Sequence, residues 1–222
     1  MPASRARVLI IGRSPTVLTG TVELLRRAGY AADATNRFDS VLDDYDPARL
    51  DLVVFGGMVP ADAKGSLRDE IGRRNPAAAF VQGLVGIPGV IAAQVEAAAD
   101  SAVEPRARLE YDASARTLRV SLDKPARVIL EAFWMTSWTP PEPTSTFATI
   151  TDGELAEGVH DIPLPPTVPD EASFATLRAG DSVHVLTIGA LPTAIGRMAP
   201  KSIGDQRLPT VGDVTTHDGR AG

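Results

Sequence analysis

Residues 7–99 alternate four times between a short apolar run and a longer stretch whose apolar residues recur at helical spacing. Few architectures accept that alternation. Strands separated by helices need crossover connections, which make the strands parallel, and a parallel sheet must be covered on both faces. The first unit reads most clearly. Val8–Ile11 is a short β-branched run closed by Gly12, a buried strand. Ser14-Pro15 starts a helix, with the serine oxygen expected to cap free amides and proline suited to the first helical position. Val17, Leu18, Val22, Leu24, Leu25 and Ala28 form its apolar face, and Gly29 stands where such helices end. Tyr30–Thr35, Leu50–Phe55 and Ala77–Val81 are the further strands. Phe38/Val41/Leu42/Tyr45, Leu67/Ile71 and Val90/Ile91/Val95/Ala98 mark the further helices.

Near Val103-Glu104-Pro105 the period changes to two. Leu109/Tyr111, Leu118/Val120/Leu122, Val128/Leu130/Ala132/Trp134, Phe147/Thr149, Ile162/Leu164 and Val183/Val185 alternate with polar residues. Turn-forming clusters separate them at Asp112-Ala113-Ser114, Asp123-Lys124-Pro125, Thr139–Thr146, Asp152-Gly153 and Ala179-Gly180-Asp181. Six or seven short strands in this span predict a β-sandwich. Beyond Gly189 no periodicity remains, and Pro192, Pro200 and Pro209 predict an extended or disordered tail, an arm for another surface. The expected organisation is therefore an open parallel α/β sheet of about four βα units over residues 1–102, an all-β sandwich over 106–189, and the tail 190–222.

Composition narrows the chemistry. With no cysteine among 222 residues, disulfides, thiolate nucleophiles and cysteine-ligated metals are excluded. A net charge of −6 argues against a nucleic-acid groove. The basic start and the short apolar run after it do not make a signal peptide, and no apolar stretch is long enough to span a membrane, so the expected location is the cytoplasm. Three lysines against nineteen arginines say more about a GC-rich genome, expected to be bacterial, than about a function.

The segment Asp51-Leu52-Val53-Val54-Phe55-Gly56-Gly57-Met58-Val59-Pro60 resembles the third strand of response-regulator receiver domains, which belong to the flavodoxin-like group. That resemblance covers residues 7–99 and implies a strand ending in a phospho-accepting aspartate, with a Met-Pro pair shortly after. Gly56 stands at the acceptor position, Gly12-Arg13 stand where receivers place their magnesium-binding acids, and the family's lysine has no counterpart. One βα unit is also missing. Phosphoryl transfer by the family mechanism would lack its nucleophile, its metal ligands and its cation. The same residues are similar to the start of a Rossmann domain: Gly12-Arg13-Ser14 lies at the first strand-to-helix turn, where amides bind phosphate, and Asn36-Arg37 follows the second strand, where an arginine meets the 2′-phosphate of NADP. The spaced glycines of the dinucleotide fingerprint are absent. In the second domain, Leu155-Ala156-Glu157-Gly158-Val159-His160 is similar to the tyrosine corner of immunoglobulin-like and fibronectin type III-like sandwiches, with His160 in the ring position. Such modules are spacers or binders.

No catalytic constellation emerges. His160 and His184 fall on expected strands and read as structural residues. Ser14 lacks a nucleophile elbow, and Asp43, Asp44 and Asp46 read as a solvated face rather than a metal site. Trp134 continues a core face, whereas Trp138 leads into a proline-rich loop where an exposed ring would suit a partner or a sugar. In an open parallel sheet, ligands sit beyond the C-terminal strand ends where strand order reverses. The candidate ligand or partner site is accordingly Gly12, Arg13, Ser14, Asn36, Arg37, Gly56 and Gly57, with Trp138 as a second candidate, and an anionic small molecule or an acidic loop as occupant. The expected function is a non-catalytic binding, scaffold or regulatory protein with a protein partner, no cofactor, no metal, no nucleic acid and no membrane, and with self-association open. The alternatives are an NADP-like nucleotide enzyme or its relic, and a carbohydrate or peptide binder acting through the Trp138 loop.

Overall fold

Val8, Leu9, Ile10 and Ile11 are all buried because their strand has a neighbour on each side and helices on both faces. The computed structural model describes residues 5–99, 106–139, 142–190 and 209–217. In it β1 (Arg5–Ile11) lies between β2 (Tyr30–Thr35) and β3 (Leu52–Phe55), with β4 (Ala79–Gln82) outside β3. All pairings are parallel, in the order β2-β1-β3-β4. The helices are α1 (Pro15–Arg27), α2 (Val41–Asp44), α3 (Ala61–Arg74) and α4 (Pro88–Ala99), with a 3₁₀ turn at Pro47–Arg49.

The chain steps one way from β1 to β2 and the opposite way afterwards. Right-handed crossovers therefore put α1 on one face of the sheet, and α2 and α3 on the other. On that second face Leu9, Ile11, Val53 and Phe55 pack against Val41, Tyr45, Leu67 and Ile71. α1 ends as its sequence implies, with Gly29 at φ +90 after the C-cap residue Ala28. The helix expected through Phe38 and Tyr45 is only one turn long. Tyr45 and Asp46 are extended, as the residue before a proline tends to be, and the Asp46 side chain caps the 3₁₀ turn that Pro47 begins.

The second unit is antiparallel throughout. Its strands are β5 (Ala107–Asp112), β6 (Thr117–Leu122), β7 (Ala126–Ser137), β8 (Thr144–Leu155), β9 (Gly158–Pro163), β10 (Ser173–Ala179) and β11 (Ser182–Ile188). They form a three-stranded sheet, β5-β6-β9, and a four-stranded sheet, β11-β10-β7-β8. Both sheets contribute to one apolar core: Leu118, Val120 and Leu122 from the first, Val128, Leu130, Ala175 and Leu177 from the second. Asp152-Gly153, expected to turn, lies inside β8, which pairs with β7 along nearly its whole length. The register shifts there because Thr151 opposes Leu130 while Thr149 opposes Glu131, leaving Ile150 as a bulge. β10 carries no alternating signal because it is buried on both faces, with small Ala and Thr residues between its larger ones.

The two compact units do not follow the simple order of the chain. The first takes residues up to Val95 together with Trp138–Pro143 and the chain from Ala194. The second takes Glu96–Ser137 and Thr144–Thr193. Most of the expected tail, 191–208, lies outside the described residues, but 209–217 runs along β2 within the first unit. Among the described residues no helix is long and apolar enough to cross a membrane.

Candidate functional site

Strand order reverses between β1 and β3, so the loops after these strands meet at the C-terminal edge of the sheet. The Gly12 amide donates to Thr35 O at 3.1 Å, and the Gly56 amide donates to Ile11 O at 2.8 Å. A Cβ added at Gly56 would stand 3.4 Å from Gly12 Cα. Gly83, after β4, approaches as closely: a Cβ there would lie 3.4 Å from Phe55 O. The turns lie side by side at ordinary contact distances, a Cβ at Gly83 also standing 3.8 Å from Gly56 Cα.

A carboxylate occupies the start of α1. The Ser14 hydroxyl donates to Glu142 Oε1 at 2.7 Å, and the Thr16 amide donates to the same oxygen at 3.0 Å. The Thr16 hydroxyl donates to Oε2. The expected role of Ser14 is therefore corrected. Its side chain makes no cap bond to the helix, and Glu142, 128 residues downstream, supplies the acceptor that the free helix amides require. Burial alone would raise the pKa of Glu142. The bonds from Thr16 and Ser14, with the nearby charge of Arg13, outweigh it and hold the carboxyl below its ordinary value of 4.5. Burial in turn lowers the Arg13 pKa, opposed by the charge of Glu142.

A second occupant lines the β2 edge. Thr215 forms an antiparallel bridge to Thr35. The Asn36 amide donates to Val214 O at 3.1 Å, and the Thr216 amide to Ala34 O at 3.0 Å. The Asn36 side chain clasps the same segment, donating to Gly212 O and accepting from the Val214 amide, both at 2.8 Å. Arg13 reaches Pro209 O. Tyr45 donates to Thr216 O at 2.8 Å, and its ring lies 5.2 Å from that of His217. Desolvation and the charges of Asp33 and Asp44 push the Tyr45 pKa well up, so the phenol stays a donor.

The candidate residues thus separate. Arg13, Ser14 and Asn36 contact these two occupants, while Gly12 and Gly56 lie against each other at the strand ends. Gly57 is exposed beside them, and no atom lies within 4 Å of a Cβ placed on it. Arg37 is exposed, with its guanidinium 3.9 Å from Asp44. Trp138 is half-buried in the same short segment as Glu142. Glu142, Thr16 and Tyr45 were not among the candidates. Glu142 is the one acid in a proline-rich loop, and nothing in its sequence neighbourhood points to a partner near residue 14.

The arrangement suits holding a carboxylate. Ser14 is hydrogen-bonded to a carboxylate whose basicity is reduced, so Glu142 is a poor general base for it. Elsewhere, His160 Nε2 pairs with Ala156 O at 2.8 Å, a ring-to-backbone contact at the β8–β9 turn. Asp44 accepts from the Ser40 hydroxyl. Among the described residues no group of three or more His, Asp or Glu is placed to hold a metal. No protein-family model matches the chain, and no curated protein matches it.

Proposed function

We propose that this protein is a non-catalytic binding and scaffold protein, built from a receiver-like α/β domain that cannot accept phosphate and a sandwich of the fibronectin type III or immunoglobulin class. The order β2-β1-β3-β4 supports the first likeness, being the flavodoxin-like order short of its last strand. Lettered in chain order, the second unit has A, B and E in one sheet and G, F, C and C′ in the other, which is the distribution of that sandwich class. The observation that carries the reading is the Glu142 carboxylate at the start of α1. The place where an α/β domain of this order would grip a phosphate is filled by an acidic side chain of the same chain, and the acceptor position beside it is Gly56. The turn recognises carboxylate and uses it for architecture.

A thermal-shift screen with NADP, ATP, acetyl phosphate and simple sugars tests this. A ligand that binds only the native state raises the melting temperature, and the rise grows with the logarithm of its concentration above the dissociation constant. No ligand-dependent rise is expected. A concentration-dependent rise with NADP would restore the nucleotide-enzyme reading, and one with a sugar would restore the reading through Trp138.

A further inference from the structure

The β2 edge has the features of a peptide-docking groove. Its receiving surface is built into the body of the first unit: β2 is held along its other edge by parallel pairing with β1 from Tyr30 to Thr35. What covers it is different in kind. No residue of 209–217 is fully buried. The segment is held mainly by part-buried hydrogen bonds and one ring contact, a combination that places it at the low-stability end of a fold.

The bonds also define what fits. Asn36 reads the backbone four and two residues before Thr216, its Nδ2 donating to Gly212 O and its Oδ1 accepting from the Val214 amide. The Thr216 hydroxyl accepts from the Ala34 amide at 2.8 Å and faces Asp33 Oδ1 at 3.4 Å, so that position selects a hydroxyl. The next residue meets the Tyr45 ring. Most of the remaining contacts are to main chain, which any extended peptide offers.

We propose that the β2 edge is a peptide-binding site held shut by residues 212–217, and that its ligand is an extended segment of a partner protein bearing a hydroxyl residue followed by an imidazole or aromatic ring. The partner's segment adds to the sheet as the cis segment does and displaces it. An uncovered β2 would leave the Ala34 and Asn36 amides unpaired, while Tyr45 could still donate to the Ala34 carbonyl, so release and capture are coupled through those two amides. This inference goes beyond the binding reading above and uses none of the Glu142 contacts, so either can fail alone.

The test uses the full chain carrying Val214→Pro and Thr216→Pro, which remove the two amides that donate to Asn36 Oδ1 and Ala34 O. The probe is a fluorescent peptide with the sequence of residues 209–217. The opened variant is expected to bind it saturably. The unaltered chain is expected to bind it at least about tenfold more weakly, since its own segment competes at high effective concentration. Adding Asn36→Ala to the opened variant should weaken binding about tenfold, as should a peptide with valine for Thr216. A folded opened variant that does not bind the peptide overturns the proposal. So does one that instead self-associates in sedimentation, which would assign the edge to a second copy of the chain. Hydrogen exchange on the unaltered chain decides the matter if the variant does not fold. The Asn36 and Thr216 amides should exchange by local opening, well before the amides of β1. Exchange of all of them only through global unfolding overturns the proposal.

Discussion

The Ser14 hydroxyl meets the Glu142 carboxylate at 2.7 Å across 128 residues of sequence. With the two contacts from Thr16, this one acid does what a local N-cap would otherwise do for α1, and it fixes the proline-rich loop in the same stroke. Glu142→Gln keeps the shape and removes the charge. The site is partly solvated and screened, so the expected loss is about 0.5–1 kcal/mol. It should appear as a lower melting temperature and faster exchange of the Thr16 amide. An unchanged Thr16 amide in Glu142→Gln would mean that the contact does not hold the helix start.

The same contact sets a pH dependence. Glu142 titrates below its ordinary value of 4.5 in the folded chain, so its contribution is fully present above that value and is lost as pH falls through the lowered one. The stability difference between the unaltered chain and Glu142→Gln should therefore be constant at neutral pH and shrink below about pH 4.5. Paired thermal melts from pH 7 to 3 measure it. A difference that grew on acidification would reverse the assigned sign.

Much of the first unit is legible in the sequence because its signals are local. A four-residue β-branched run closed by Gly12 and a Ser-Pro helix start describe themselves, and Gly29 needs only its neighbours to mark the end of α1. The short α2 misleads because apolar spacing at Phe38, Val41 and Tyr45 fits a longer helix, whereas Pro47 acts on the residues before it. β10 is invisible for the opposite reason. A strand buried on both faces has no polar alternation to betray it. The position of the crevice follows from topology alone. Its occupants do not, since Glu142 and Val214–Thr216 arrive from more than a hundred residues away and carry no periodic signal.

His184 on β11 is held differently. Burial lowers its pKa below 6.5, only partly opposed by a hydrogen bond to the Ala107 backbone, and its Nε2 is buried with no hydrogen-bond partner among the described residues. The unfolded chain therefore binds a proton that the folded chain resists, and stability falls as pH drops below 6.5. His184→Gln should flatten the dependence of the melting temperature on pH between about 7 and 5. Identical slopes in the two proteins would show that His184 is not the group responsible.

Arg178 on β10 joins two carboxylates, bonding Glu96 through two nitrogens at 2.8 and 2.9 Å and Glu131 at 3.3 Å. Burial raises the Glu131 pKa, with Arg178 opposing the rise. Removing the cation leaves two part-buried acids facing one another, so Arg178→Ala should cost about 2–4 kcal/mol, near the lower end because the group is not fully enclosed. Adding Glu131→Gln should recover part of that loss. If Arg178→Ala melts within a degree or two of the unaltered chain, the ion network is ornamental.

Gly56→Asp tests whether the receiver-like edge is one residue from chemistry. The new Cβ would lie 3.4 Å from Gly12 Cα and 3.5 Å from Ile11 O, ordinary contact distances, so the variant should fold with little loss of stability. It would place a carboxylate at the end of β3, where the proposed receiver likeness expects an acceptor. Phosphoryl transfer to an aspartate also needs a divalent cation to neutralise the transferring group, and Gly12-Arg13 offer neither a second nor a third carboxylate. Gly12 is poorly placed to become one, because a Cβ there would come within 3.1 Å of Leu18 Cδ2. Glu142 stays engaged by Ser14 and Thr16 and is not offered as a ligand. Intact mass spectrometry of Gly56→Asp after incubation with acetyl phosphate and magnesium should therefore show no phosphoryl adduct. A stoichiometric, acid-labile adduct on the introduced carboxylate would mean that the edge assembles its own metal site, and the non-catalytic reading of this domain would fall with it.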